Sequence, residues 1–183
     1  MDNESSLARR RRFEALAAEV YEPIQRYVRR RVDDHAADDV VSETLLTLWR
    51  RLDDVPAHAH LPWAYGVARR HIANHRRSTA RRLRLVHRAQ AEPPPAQSAD
   101  TPLDPELDVA LAALAESDRE LLRLWAWEQL GPAEIAPVLG LSPNAVSIRL
   151  HRAKKKLAEN LEQARKTQAP SGHSDRGSRK EER

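Results

Sequence analysis

The chain has 183 residues, with 31 Lys and Arg against 27 Asp and Glu, giving a net charge of +4 and a pI near 9.7. That length holds one ordinary domain or two small ones and excludes a large barrel or a doubly wound enzyme. Cysteine is absent, so disulfides and thiolate metal sites are excluded, which suits a reducing cytosol. No apolar run approaches the roughly 18–20 residues that cross a bilayer, and Met1-Asp2-Asn3-Glu4 opens no secretory signal. No membrane insertion is therefore expected, and a cytoplasmic location is. Glycine is scarce, while alanine, leucine and arginine, all strong helix formers, dominate, so the expected fold class is all-α. The basic balance points to an acidic partner, nucleic acid foremost.

In chain order, the first dozen residues, ending in Arg9-Arg10-Arg11-Arg12, are expected to fray. A first helix is predicted from Phe13 to Val32, with Phe13, Leu16, Ala17, Val20, Ile24, Tyr27 and Val28 at helical spacing. Pro23 should kink it. Asp33-Asp34 can cap a second helix that buries Val41, Leu45, Leu48, Trp49 and Leu52 and presents Asp38, Asp39, Ser42 and Glu43 on its other face. A third helix starts near Pro62 and continues past Asn74 towards Arg88. Residues 91–105 carry five prolines and almost nothing to bury, which makes them an extended linker.

The second half is again helical. Leu107, Leu111 and Leu114 form one stripe, and Ser117-x-x-Glu120 is a capping-box pattern opening a helix that should bury Leu121, Leu124 and Trp125. Gly131-Pro132 starts a short helix that ends at Gly140, and Ser142-Pro143 starts a longer one reaching Leu161. The expected organisation is thus two small helical domains, 10–88 and 106–164, joined by a Pro-rich linker at 89–105, with a disordered tail at 165–183.

The strongest local signal is this short helix, glycine turn and capped second helix, a helix-turn-helix pattern. Leu141 should plug the space between the two helices. On the second, Val146, Leu150, Ala153 and Leu157 make the inward stripe, while Asn144, Ser147, Ile148, His151 and Lys155 point away and Arg149 and Arg152 flank it. A DNA-reading helix needs this division between apolar anchors, short polar side chains for base edges and cations for phosphates. An ordinary helical hairpin with a solvated charged face is the plainer alternative.

The second signal is charge segregation. Between Val55 and Ala91 there is no acidic residue, while Arg69, Arg70, Arg76, Arg77, Arg81, Arg82, Arg84 and Arg88 all fall there. A one-signed stretch of that length fits a phosphate backbone, though a merely soluble basic helix has the same composition. Trp63 and Tyr65 at its start can stack on unpaired bases or serve the core. His71 and His75 share a helix face, but no third ligand accompanies them and the surrounding arginines repel a cation, so neither a metal site nor a cofactor is expected. No catalytic constellation stands out, so no enzymatic activity is expected.

Taken together, these segments resemble the two conserved domains of bacterial RNA polymerase sigma factors of the sigma-70 family, and within it the extracytoplasmic-function (ECF) group, which is reduced to two domains and a linker. Asp38 to Arg50 is similar to that family's polymerase-binding helix, Leu61 to Arg77 to its minus-ten-recognition helix, and the helix-turn-helix to its minus-thirty-five reader, through the Ala-Val-x-x-Arg-Leu-x-Arg-Ala spacing of Ala145 to Ala153. The resemblance implies polymerase contacts at Asp38, Asp39, Ser42, Glu43, Leu46 and Arg50. It implies minus-ten contacts at Trp63, Arg69, Arg70, Asn74, Arg76 and Arg77, and minus-thirty-five contacts at Asn144, Ser147, Ile148, Arg149, His151, Arg152 and Lys155. The implied partners are core RNA polymerase, promoter DNA and a separate anti-sigma protein, with a monomer when free. The sequence departs from the family at Ser42, where glutamine is common, at Pro137, which should bend the short helix, and in the Asp53–His60 loop, which in the family receives a flipped base. The rival from another class is a stand-alone helix-turn-helix regulator that dimerises through its first domain.

Overall fold

A computed structural model describes residues 2–87 and 104–168. Among the described residues there are seven α-helices: α1 Asp2–Arg29, α2 Asp34–Arg50, α3 His60–His87, α4 Pro105–Ala112, α5 Glu116–Ala126, α6 Pro132–Leu139 and α7 Pro143–Gln168, with a 3-10 turn at Leu52–Asp54 after α2. No strand occurs among the described residues, in line with the expected all-α class. The linker expected at 89–105 and the tail at 165–183 lie almost wholly outside the described residues.

The helices α1, α2 and α3 pack pairwise into the first unit. Leu16, Val20, Ile24, Tyr27 and Val28 supply the α1 side of its core, Val40, Val41 and Leu48 the α2 side, and Ala64, Tyr65, Ala68 and Ile72 the α3 side. Spacings of 3, 4 and 7 residues recur in these sets and keep side chains on a single helix face. Asp33 accepts from the Ala36 N–H at 2.9 Å and so caps α2 as its sequence predicts. Thr44, fully buried, satisfies its hydroxyl by donating to the Val40 carbonyl at 2.7 Å.

One expectation about α1 is corrected. Its first dozen residues do not fray. Arg9 and Arg12 reach across to Asp53 at 2.8 and 2.9 Å, and to the carbonyls of Trp49 and Leu52. Phe13 also packs edge-on against Trp49, with ring centroids 5.2 Å apart. Pro23 lies within the continuous span of α1, so it removes one backbone donor without ending the helix.

His71 on α3 bonds the Thr47 hydroxyl on α2 at 2.9 Å, and burial holds its imidazole below the ordinary pKa, with Glu43 acting in the opposite sense. An unfolded histidine takes up its proton near pH ~6.5, and folded His71 does so at lower pH. As the pH falls below the unfolded value, the unfolded state binds a proton that the folded state does not, and stability falls until the folded value is passed. We expect His71→Gln to flatten the decline of the first domain's melting temperature between about pH 7 and pH 5. An unchanged decline in the variant contradicts this.

In the second unit α4, α5 and α6 all pack on α7. Leu111, Leu121, Leu124, Ile135, Val146, Leu150 and Ala153 are buried together. Arg119 donates to the carbonyls of Leu111, Ala112 and Leu114 at 2.9–3.0 Å and closes the open C-terminal end of α4. Here the capping-box expectation fails. The N-cap of α5 is Ala115, with no side-chain cap. The Ser117 hydroxyl instead accepts from Arg149 at 3.1 Å, and Glu120 is drawn across to Tyr27 and Arg31. Trp125 is not buried either. It is 41% exposed, with the Lys154 ammonium 3.3 Å from its ring centroid.

Candidate nucleic-acid interface

The helix-turn-helix forms as its local signals predict. Pro132 starts α6, and the Glu134 carboxylate accepts from the Gly131 N–H at 2.8 Å. Gly140 takes the left-handed conformation (φ 69°), which glycine adopts without steric cost, and its N–H returns to the Ala136 carbonyl. The Ser142 hydroxyl caps α7 through the Ala145 N–H at 3.2 Å. Pro137 lies inside α6, which runs on as one helix to Leu139.

On α7 the inward stripe is as expected: Val146, Leu150 and Ala153 are buried, and Leu157 packs partly against them. Asn144, Ser147, Ile148, His151, Arg152 and Lys155 are exposed on the other side, Ile148 by 46%. Arg149 departs from the expected arrangement, because its guanidinium turns back to Ser117 and Asp118 at 3.1 and 3.4 Å and braces α7 against α5. Exposed polar side chains on a braced helix can reach base edges in a major groove. We expect Asn144→Ala, Ser147→Ala or His151→Ala to change the preferred upstream bases, at about 1–3 kcal/mol per lost contact. Arg152→Ala should instead weaken all sites alike and reduce the salt slope. A selection over randomised upstream sequences separates the two, and three alanine variants with unchanged preference would place the reading surface elsewhere.

The α3 residues divide differently. Arg69, Arg70, Asn74 and Arg77 are exposed, and Arg77 bonds the Asn74 amide oxygen. Arg76 is half-buried, pairing with Glu116 of α5 and donating to the Arg31 carbonyl at 3.0 Å. Trp63 is half-buried beneath the Arg51 guanidinium, 5.4 Å from its ring centroid. Tyr65 is core: it is 3% exposed, its ring lies 4.9 Å from that of Tyr27, and burial foremost pushes its hydroxyl up to about 12. His75 contacts the Thr79 hydroxyl at 3.4 Å, and no group of three or more metal-ligating side chains gathers among the described residues.

On α2, Asp38, Asp39, Ser42, Glu43, Leu46 and Arg50 are all exposed, opposite the buried Val40, Val41 and Leu48. Leu46 is 39% exposed within this acidic face, an apolar spot that a docking partner can cover. At its end, Asp53 is held by Arg9 and Arg12, whose hydrogen bonds, Arg9 foremost, keep its carboxyl below the usual range.

The sequence reading missed the seam between the two units. Arg31, 5% exposed, pairs with Glu120 at 3.0 Å and Glu128 at 3.2 Å, and Tyr27 donates to Glu120 at 2.9 Å. Arg30 pairs with Glu128 at 3.4 Å and lies 5.3 Å over the Trp127 ring. Burial, then the Glu120 charge, raises the Tyr27 hydroxyl well above its ordinary value. A signal for Arg31 was present, since it continues the Val20–Ile24–Tyr27 spacing by one turn.

No helix among the described residues is long and apolar enough to cross a membrane. Residues 16–82 match the family model for sigma-70 region 2, and residues 105–157 that for sigma-70 region 4. The chain is 34% identical over 149 residues to the ECF RNA polymerase sigma factor SigL of Mycobacterium tuberculosis, across 75% of this chain and 82% of that one. It is 32% identical over 144 residues to the ECF RNA polymerase sigma factor SigF of Caulobacter vibrioides, across 77% and 80%. Among solved structures, CnrH in complex with the cytosolic domain of CnrY is similar at a TM-score of 0.56 and 27% identity, over 82% of this chain and 88% of that one. The sigma factor RpoE of Bartonella quintana, in complex with the anti-sigma factor NepR, shares the fold at a TM-score of 0.61 and 19% identity, over 82% and 96%. With both regions present in order on one helical chain, this protein belongs to the sigma-70 family of RNA polymerase sigma factors, in its extracytoplasmic-function group, and directs promoter-specific initiation of transcription.

Proposed function

We propose that the chain docks on core RNA polymerase through the exposed face of α2, with Asp38, Asp39, Ser42, Glu43, Leu46 and Arg50 as contacts. In the same reading α3 engages the minus-ten element through Trp63, Arg69, Arg70, Asn74, Arg76 and Arg77, and α7 reads the minus-thirty-five element. The working units are then a first domain at 10–88 and a second at 106–164. The observation that carries this reading is the order of faces on one chain: an exposed acidic face on α2, a basic face on α3 and an outward polar face on a helix-turn-helix.

The physical logic is cooperative. Free basic helices bind duplex DNA mainly through phosphates and select poorly. Docked on a common scaffold, two weak readers engage two elements at once, and the second engagement proceeds at a raised effective concentration. Capture of unpaired bases offsets the few kcal/mol that unstacking each one costs. The chain itself makes and breaks no bonds in this scheme, needs no cofactor and works in the cytoplasm. The similar proteins RpoE and CnrH are each described bound to a second protein, NepR and CnrY, and we assign this chain an anti-sigma partner of the same kind.

The test is retention on immobilised core RNA polymerase, with duplex DNA binding by the free chain measured in parallel. The expected result is retention on polymerase, a monomer in solution and weak DNA binding that falls steeply with salt. A stable dimer that binds palindromic duplex DNA tightly without polymerase supports the stand-alone regulator instead.

A further inference from the structure

Which bases α7 can meet depends on how the helix is turned about its own axis. At roughly 100° per residue, counted from the buried Val146, the exposed Asn144, His151 and Lys155 stand at about 140–180°. Their tips lie roughly 6 Å from the axis, so a turn of about 20° carries them about 2 Å. That is more than a hydrogen bond to a base edge tolerates. The inward stripe of Val146, Leu150 and Ala153 holds the helix down. Apolar burial is non-directional, however, so the rotation is best fixed by contacts at the two edges of that stripe.

Both edges carry a cation, and α5 engages both. About 60° to one side of Val146, the Arg149 guanidinium donates to the Ser117 hydroxyl at 3.1 Å and to the Asp118 carboxylate at 3.4 Å. About 80° to the other side, the Lys154 ammonium lies 3.3 Å from the Trp125 ring centroid. Asp118 and Trp125 are seven positions apart, roughly two turns along one face of α5, with Leu121 and Leu122 buried between them. Since α5 packs on α7, its two ends hold the two edges of the reading helix. Burial does not account for Trp125, which is 41% exposed. A cation over its ring does, because tryptophan has the most attractive face of the aromatic side chains.

We infer that Trp125 and Lys154, with Asp118 and Arg149 on the opposite edge, are positioning residues that set the rotation of α7 and thereby determine which minus-thirty-five bases it prefers. This rests on the reading of α7 as the minus-thirty-five reader. None of the four has to touch a base. Trp125 acts through Lys154, and the pairing keeps that ammonium on α5 rather than on a phosphate.

The test uses the full chain with core RNA polymerase. Run-off transcription from a promoter recovered by selection is compared with that from single-base variants of its upstream element. In the parent the two should differ roughly tenfold, as one base contact provides. Trp125→Leu and Lys154→Met each remove the pairing, and the ratio should fall to about threefold in either, the scale of one exposed cation–ring contact. It should fall no further when the two are combined, since they break the same contact. Lys154→Arg and Trp125→Phe keep a cation over a ring and should stay close to the parent. A parental ratio in both Trp125→Leu and Lys154→Met overturns the inference. So does an equal loss of output from both promoters with the ratio preserved, which makes Trp125 a polymerase contact or Lys154 a phosphate contact instead. A ratio that falls as far in Lys154→Arg and Trp125→Phe also overturns it, because the pairing is then not what matters. If Asn144→Ala, Ser147→Ala and His151→Ala all leave the ratio at its parental value, the α7 reading fails and takes the inference with it. If those alanines change the ratio and Trp125→Leu does not, the α7 reading stands and only the inference falls.

Discussion

Val146→Asp is expected to unfold the second domain and abolish recognition of the upstream element. Val146 is 0% exposed and sits in the first turns of α7, where its N–H donates to the Ser142 carbonyl at 3.0 Å. Its side chain belongs to the cluster that includes Leu121, Leu124, Ile135 and Leu150. An aspartate there finds no cation within that cluster. It must either desolvate a charge or bind a proton at neutral pH, and either route costs several kcal/mol, roughly the desolvation of an unpaired carboxylate. A domain this small has about 5 kcal/mol or less to lose. Thermal and urea unfolding followed by circular dichroism should show the second domain's transition missing while the first domain's remains. A variant that retains both transitions and its upstream sequence preference would show that this stripe does not hold the reading helix.

Asp39→Arg is expected to abolish binding to core polymerase while leaving the fold intact. Asp39 is exposed on α2, one position before the buried Val40, so reversing its charge disturbs no packing. Against a basic partner the reversal replaces attraction with repulsion, a penalty of several kcal/mol where the partner's charge is close. That corresponds to roughly a hundredfold loss of affinity or more, at about 1.4 kcal/mol per factor of ten. Glu43→Arg should act alike, although Glu43 also exerts a field on His71, so Asp39 gives the cleaner reading. Equal polymerase affinity in variant and parent, with unfolding curves superimposed, would remove α2 from the docking surface.

Most of the fold was legible because its signals are local. Asp33, Gly131-Pro132, Gly140 and Ser142-Pro143 each fix a helix end through bonds to residues a few positions away, and the apolar spacings select the buried faces. What escaped depends on partners far along the chain. Arg9 and Arg12 stay ordered through Asp53, about forty positions on. Ser117 and Glu120 have the spacing of a capping box, but Arg149 and Arg31 claim both side chains. Trp125 follows Leu124 directly and so stands roughly 100° further around the helix, turned out to Lys154 rather than into the core.

The candidate site shows the same division. Which side chains of α2 and α7 face outward follows from helical periodicity, and Asn144, Ser147, His151, Asp38 and Asp39 stand where that periodicity puts them. Which cations remain free does not follow from it. Arg149 and Arg76 look alike in sequence to Arg152 and Arg77, yet the first two are engaged by α5. Only the placement of α5, whose Glu116 and Asp118 reach Arg76 and Arg149, distinguishes them.

The most direct measurement of promoter-directed initiation by this chain is run-off transcription with purified core polymerase. Promoters recovered by selection would be transcribed with the spacing between their two elements lengthened or shortened in single base-pair steps. The expected result is transcription that requires the added chain, peaks at one spacing and declines on either side, because two domains held at a fixed separation on polymerase must meet both elements together. Transcription from the selected promoters by core polymerase alone, or output indifferent to spacing, would contradict it.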